Sequence, residues 1–352
     1  MRNSIICKNA IFKKRKIGIL DADITNIDAP SAYINKLWAR LTDDTTMKIK
    51  ILTLLLLINS LTSCGQKKME NKFFTWDNFV DNFGKEMVSA EDVHNNMVKS
   101  GLKDNCLTKM DFTFISDKKE NLIKLGEFIK SHYPYTVQEV KKYEDLWEIN
   151  GETNEIPITA DNLLYWALDM YKRGYEFDAK LDAYGGPFDP KDQKFPDLDT
   201  SKADYYFDNG VECYEKGDLS GSIINWSLTL NINPKEPNSY YSRAIVKNEL
   251  HTWKSALRDY DKAIEIAPDF VSALTNRGSL KDENGDYSGA IDDYNKVLSM
   301  DKVDLENKQQ AYFNRGNSKF NLKDKKGACE DWKKALELGA DYAKERLDEH
   351  CK

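Results

Sequence analysis

Residues 276–298 read NRGSLKDENGDYSGAIDDYNKVL, and residues 314–336 read NRGNSKFNLKDKKGACEDWKKAL. The two strings match in phase at an Asn-Arg-Gly start, a central small residue and a late aromatic, and the same phase extends backwards through the chain. Gly210, Ala244 and Gly278 stand 34 residues apart, and Gly316 follows after 38. A second series, Ser222, Ala256, Ala290 and Ala328, keeps step. A third, Trp226, Tyr260, Tyr294 and Trp332, lies four residues beyond the second, one turn further along the same helical face. Small residues let two helices approach, the aromatic one turn on fills the space beside them, and Pro234 and Pro268 close the first two units. A fixed period of this length is the signature of a solenoid built from helical hairpins.

This pattern resembles the tetratricopeptide repeat (TPR) family over residues 202–340, in four units. The four residues added near Lys302 to Lys308 lengthen a helix or a loop. A stack of hairpins needs a cap over its last apolar face. Residues 341–352 supply one, with Ala343 and Leu347 at i, i+4. Cys329 and Cys351 each lie 11 residues from Ala340. In an antiparallel hairpin turning there they reach the same height, which predicts a disulfide if the Cα atoms come within about 7 Å. Cys106 and Cys213 have no such argument and read as buried free thiols.

In this family the inner helices line a groove that holds a peptide or another protein. The resemblance implies groove positions at Phe207, Val211 and Tyr214; Tyr241, Ile245 and Asn248; Thr275, Ser279 and Asp282; and Phe313, Asn317 and Phe320. These are aromatic and polar. Members that grip a terminal carboxylate place Lys, Arg and Asn there, and the absence of Lys and Arg speaks against a chaperone-tail clamp.

Ahead of the repeats, residues 76–190 alternate between helical and strand periods. Trp76 to Phe83 and Ala90 to Lys99 read as two helices, and Asp111 to Ser116 (DFTFIS) as a strand. Asp117 with Glu120 reads as a capping box for a helix carrying Leu122, Leu125 and Ile129. Tyr135 to Lys142 and Leu146 to Asn150 follow as strands, then Asp161 to Tyr175 as a helix and Phe177 to Tyr184 as a last strand. The order β-α-β-β-α-β is that of a ferredoxin-like domain, so the expected class is an α+β ferredoxin-like domain followed by an all-α TPR solenoid. The leading helices, the DFTF strand and the closing LDAYGGPF resemble RraB, a family of ribonuclease E inhibitors, over residues 78–188. What the resemblance implies is a protein-binding module. Gly185, Gly186, Pro187, Pro190 and Pro196 mark a linker over residues 191–201.

From Met47 the chain reads MKIKILTLLLLINSLTSCGQKK. Lys48 and Lys50 form a positive start, an apolar stretch follows, and small residues precede Cys64: the grammar of a signal peptide over residues 47–63. The 13 residues from Ile49 to Leu61 fall short of the about 20 that cross a bilayer as a helix. Leu61, Thr62, Ser63 and Cys64 resemble the lipobox of bacterial lipoproteins, which implies lipid attachment at Cys64, a tether over 64–75 and residence in the cell envelope. Residues 1–46 then read as an upstream extension outside the native protein, with translation starting at Met47.

The chain has 51 Lys plus Arg against 58 Asp plus Glu, a net charge of −7. Residues 1–63 hold ten of the basic and five of the acidic residues, so the remainder carries −12. Such a body is repelled by anionic headgroups, which leaves the lipid as the anchor, and it offers no basic stripe for nucleic acid. Four histidines, His94, His132, His251 and His350, stand at no ligand spacing, so neither a metal nor a cofactor is expected. Asp161, Asp178 and Asp182 are the nearest approach to a catalytic carboxylate group, and solvated faces explain them better. The expected function is a membrane-anchored, non-catalytic adaptor. The rival is a cytoplasmic RraB-like regulator that binds and inhibits a ribonuclease, with Met1 as its start.

Overall fold

The computed structural model describes residues 71–351. The expectations for residues 1–46, the signal peptide, Cys64 and the first part of the tether fall outside the described residues. The last part of that tether is no free chain. Asp178, at φ +52°, accepts backbone N–H bonds from Lys72, Phe73 and Phe74 and pins the arm to the domain behind it.

Helix α1 runs unbroken over Trp76–Lys99, where two helices were expected. Phe79, Phe83, Ala90 and Met97 are buried at spacings that trace one stripe, and Gly84 alone is too weak a breaker to interrupt it. Thr75 caps its start, accepting from the Asn78 amide, and Gly101 at φ +102° ends it.

The strands are β1 (Cys106–Thr108), β2 (Asp111–Ser116), β3 (Thr136–Val137), β4 (Lys141–Tyr143), β5 (Leu146–Glu152), β6 (Ile156–Ile158) and β7 (Lys180–Gly185). Helix α2 (Lys119–His132) follows β2, and α3 (Ala160–Glu176) precedes β7. The expected strand at Tyr135 to Lys142 is two short pieces, β3 and β4, both paired to β5. The last strand begins at Lys180, later than expected, because Phe177 and Asp178 complete the turn out of α3. The capping box is absent: Lys118 precedes α2 without a side-chain cap bond. Strands β1 and β6, unanticipated, form a separate two-stranded sheet.

The main sheet runs β3-β5-β2-β7, all antiparallel, with β4 also on β5. Phe112, Phe114 and Ser116 alternate into the core, as a strand with one buried face requires. Phe112 meets Trp166 of α3, and Gly126 of α2 sits so close to Ile149 that a Cβ there would lie 2.7 Å from its side chain. Both helices therefore cover the same face of the sheet.

Eight helices then form four hairpins: α4 (Ala203–Lys216) with α5 (Leu219–Ile232), α6 (Pro237–Glu249) with α7 (Trp253–Ile266), α8 (Val271–Glu283) with α9 (Tyr287–Leu298), and α10 (Leu305–Asn321) with α11 (Lys325–Glu337). Helix α12 (Ala343–His350) packs on α11 as the cap. The glycine series has a direct cause. A Cβ on Gly210, Gly278 or Gly316 would come within 2.5, 2.8 and 2.7 Å of Trp226, Tyr294 and Trp332 respectively. The four added residues become an extra N-terminal turn on α10, which has 17 residues against 13 in α6 and α8.

The segment expected to be a linker is bound to the first domain. Leu107 bridges to Lys194, Gln193 accepts from the Lys103 amide, and the Gln193 side-chain amide donates to the Gly101 carbonyl. The two domains also pack directly, α3 against α5. Arg173 donates to the Gly217 carbonyl at 2.7 Å, and the Ser220 amide donates to Asp169 Oδ2 at 3.0 Å. On the second hairpin, His251 meets Phe83 at 6.3 Å between ring centroids, and Lys247 lies over the Tyr165 ring at 5.0 Å.

Candidate partner-binding groove

The inner helices α4, α6, α8 and α10 carry all twelve proposed groove residues, and five of these are buried. Phe207, Tyr214, Tyr241, Thr275 and Phe313 pack inside the stack. Tyr214 packs on Trp226, Tyr241 against Tyr260 and Phe270, and Phe313 against Tyr342. Aromatics at these positions fill the space within a hairpin and towards the next element, so they are not part of an open surface.

Val211, Ile245, Asn248, Ser279, Asp282, Asn317 and Phe320 are half-buried and reach the surface. Several also hold the stack together. Ser318 donates to Asp282 at 2.8 Å, Asn314 to Ser279 at 3.4 Å, and Asn276 to the Tyr241 hydroxyl at 3.2 Å, each joining one inner helix to the next. Trp332 donates to Asn317, and Phe320 packs against Trp332 and His350. Burial pushes the Asp282 carboxyl up, against the hydrogen bonds from Ser318 and Asn321.

The inner helices do carry cations one or two positions away from those considered, and six of them are engaged in a repeating pattern. Arg243 grips Asp259 with two bonds, at 2.8 and 2.7 Å, and Lys247 reaches the same carboxylate at 3.0 Å. Arg277 and Lys281 hold Asp293 in the same way, and Arg315 and Lys319 hold Asp331. Each arginine also reaches back to the preceding hairpin, to Ser227, Asp261 and Asn295 in turn. Burial opposes the Asp259 charge, but the bonds and attraction of Arg243 and Lys247 outweigh it and hold the carboxyl below its ordinary range. Sequence reading missed these trios although their signal is present: Arg, Lys four residues on and Asp sixteen residues on, repeating with the 34- and 38-residue period. The first hairpin has Asn209, Cys213 and Asn225 at the equivalent places. There the Asn225 amide faces the Cys213 sulfur at 3.9 Å, beside an open cleft of about 320 Å³ that also touches His132 and Asp218.

Cys329 and Cys351 are joined in a disulfide with Cα atoms 5.8 Å apart, tying α12 to α11. Cys106 is buried and Cys213 half-buried, both as free thiols, and burial pushes Cys213 up to about 12. Asp161, Asp178 and Asp182 are not assembled into a site. Asp161 lies in the first turn of α3 and Asp178 just past its other end, about 25 Å of helix apart. Asp178 holds the arm, and Asp182 pairs with Lys180 at the surface. Among the described residues, no three His, Cys, Asp or Glu side chains gather to hold a metal ion, and no helix is long and apolar enough to cross a membrane.

With this geometry in hand, the tetratricopeptide repeat family model matches residues 271–304 and 309–342. The carboxy-terminal region consists of tetratricopeptide repeats. Among solved structures, PilF of Pseudomonas aeruginosa is similar at 23% identity over 40% of this chain and 63% of its own, with a TM-score of 0.36, so this chain spans less than two thirds of it. A tetratricopeptide repeat protein from Parabacteroides merdae is similar at 24% identity, over 41% of this chain and 56% of its own, with a TM-score of 0.36. The first TPR domain of Spaghetti (RPAP3), solved with an HSP90 peptide, is similar at 19% identity over 35% of this chain and 95% of its own, with a TM-score of 0.32.

Proposed function

We propose that this protein is a membrane-anchored, non-catalytic adaptor that recruits a partner protein through its TPR repeats. The observation that carries the reading is the stack of four hairpins with Val211, Ile245 and Asn248 reachable on its inner helices, the arrangement by which such repeats hold protein and peptide ligands. The trios add to it. With Arg243, Arg277 and Arg315 spent on Asp259, Asp293 and Asp331, these cations are not available to clamp a terminal carboxylate.

The preceding domain is read as ferredoxin-like and RraB-like. Its support is the strand order, in which the first principal strand, β2, lies between the third, β5, and the fourth, β7, with both helices on one face. The module serves as a second protein-binding surface, packed against the first repeat hairpin.

Lipid attachment at Cys64 rests on the lipobox-like sequence. Six residues separate Cys64 from Asn71, where the pinned arm begins. Seven peptide steps span at most about 25 Å, so an anchored Cys64 would keep the start of the α+β domain within that reach of the bilayer. Mass spectrometry of the native amino terminus tests the anchor: a diacylated or triacylated Cys64 is expected. An unacylated chain that retains residues 1–46 would instead favour the cytoplasmic ribonuclease regulator. Membrane pull-downs with Val211→Arg and Ile245→Arg test the groove, with loss of the main partner expected and an unchanged partner set overturning it.

A further inference from the structure

The same capping aspartate starts the outer helix in three of the four hairpins. Asp218, Asp286 and Asp324 each accept the backbone N–H of the glycine three residues on, at 2.7, 3.0 and 2.9 Å. Asp286 and Asp324 face solvent, whereas Asp218 is 3% exposed because the α+β domain sits over it. Beside it, Asp169 of α3 is fully buried, and Ser220 connects the two carboxylates: its N–H donates to Asp169 at 3.0 Å and its hydroxyl to Asp218 at 3.2 Å. The charge balance at this contact is uneven. Arg173 pairs with Asp169 at 3.2 Å and with Glu176 at 2.8 Å, Lys172 also holds Glu176, and among the described residues no cation is paired with Asp218. A buried carboxylate without a counter-ion is costly, and neutralising it by a proton removes the cost.

We propose that docking of the α+β domain onto the first repeat hairpin is proton-linked, Asp218 taking up a proton as the interface closes over it and releasing it as the interface opens.

The groups around Asp218 leave it as the group that changes state. Burial, then repulsion from Asp169, raises its carboxyl to about 7, against the bonds from Gly221 and Ser220 and the attraction of Arg173. Tyr133 and Tyr135, on the segment after α2, are pushed well above their ordinary value by burial and remain neutral. Cys213 on α4 stays a thiol for the same reason, and Lys216 on that helix is bound to Glu212 at the surface. Burial opposes the Arg173 charge, but Asp169, Tyr133 and Glu176 outweigh it and keep the guanidinium charged. His251, at the second contact, is pushed down to about 4 by burial and by Lys172, so it is neutral throughout. His132 lines the adjoining cleft, its ring stacked on Phe128. Once undocked, Asp218 becomes an exposed cap like Asp286. The docked state therefore binds the extra proton: docking is strongest in acid and weakens as the pH rises to about 7, beyond which the loss is complete.

The test is hydrogen exchange of the Ser220 and Gly221 amides in the full chain, corrected for intrinsic rates, at pH 5.5 and 8. Protection should fall about thirtyfold across this range in the wild type. Asp218→Asn keeps the cap without the charge and should hold protection nearly constant, while Asp286→Asn should behave as wild type. If Asp218→Asn does not fold, Asp218→Thr installs the residue that the second hairpin carries at the equivalent position, Thr252. Constant protection in the wild type, an unchanged slope in the Asp218 variant, or a slope abolished by His132→Gln would each overturn the proposal.

Discussion

The first repeat hairpin and the three that follow share a small residue on the inner helix and a packing aromatic on the outer one, yet their polar chemistry differs. Hairpins two to four each bury an Arg-Lys-Asp trio, whereas the first has Asn209, Cys213 and Asn225 in its place. The capping aspartate reverses the pattern: exposed at Asp286 and Asp324, buried at Asp218. One repeat sequence thus supports two environments, because the α+β domain covers the capping aspartate of the first hairpin and leaves those of the third and fourth in solvent. Polar side chains that look interchangeable along the period take different energetic roles once a neighbour removes water from them.

The largest expected break of this comparison is Asp259→Ala. It strands Arg243 and Lys247, which are mostly buried, and should cost about 3–5 kcal/mol in urea unfolding. Asp331→Ala leaves Arg315 and Lys319, which are more exposed, and should cost less than half as much. Equal losses would show that burial does not set the strength of the trios. At the far end, replacing Cys329 and Cys351 by serine opens a 22-residue link and should lower stability by about 3 kcal/mol, while the partner set of the first two hairpins stays intact.

A smaller effect sharpens the comparison from the other side. Asn225→Asp gives the first hairpin the carboxylate of a trio without its cations, and should cost about 1–2 kcal/mol. Adding Asn209→Arg and Cys213→Lys should recover that loss; failure to do so would mean that the flanking domain, and not the missing partners, determines this site. The smallest effect is Asp286→Ala, which removes an exposed cap and should lower the melting free energy by about 1 kcal/mol.

The four hairpins were legible because the 34-residue period repeats the same small and aromatic positions, and a glycine beneath an aromatic is a requirement of contact distance. The order of the main strands and helices in the first domain was legible from alternation. The single helix α1 was not, because a lone Gly84 in a strong apolar stripe resembles a break when only local pattern is weighed. Strands β1, β6 and the pieces β3 and β4 are two or three residues long, too short for any period to register. Among the groove positions, Ser279 and Asn317 are half-buried on the inner helices, whereas Tyr241 and Phe313 are buried by their own packing, which the repeat pattern alone does not reveal.

Sequence alone determined what each residue could do locally: which stretches wind into helices, where small residues admit close contact, and which cysteines a turn at Ala340 brings level. Only the tertiary structure decided which polar groups lose their water. That Asp218 lies beneath α3 while Asp286 lies in solvent follows from contacts between residues about fifty positions apart, such as Ser220 with Asp169. Burial is a property of the assembled neighbours, and no repeat carries that information within its own 34 residues.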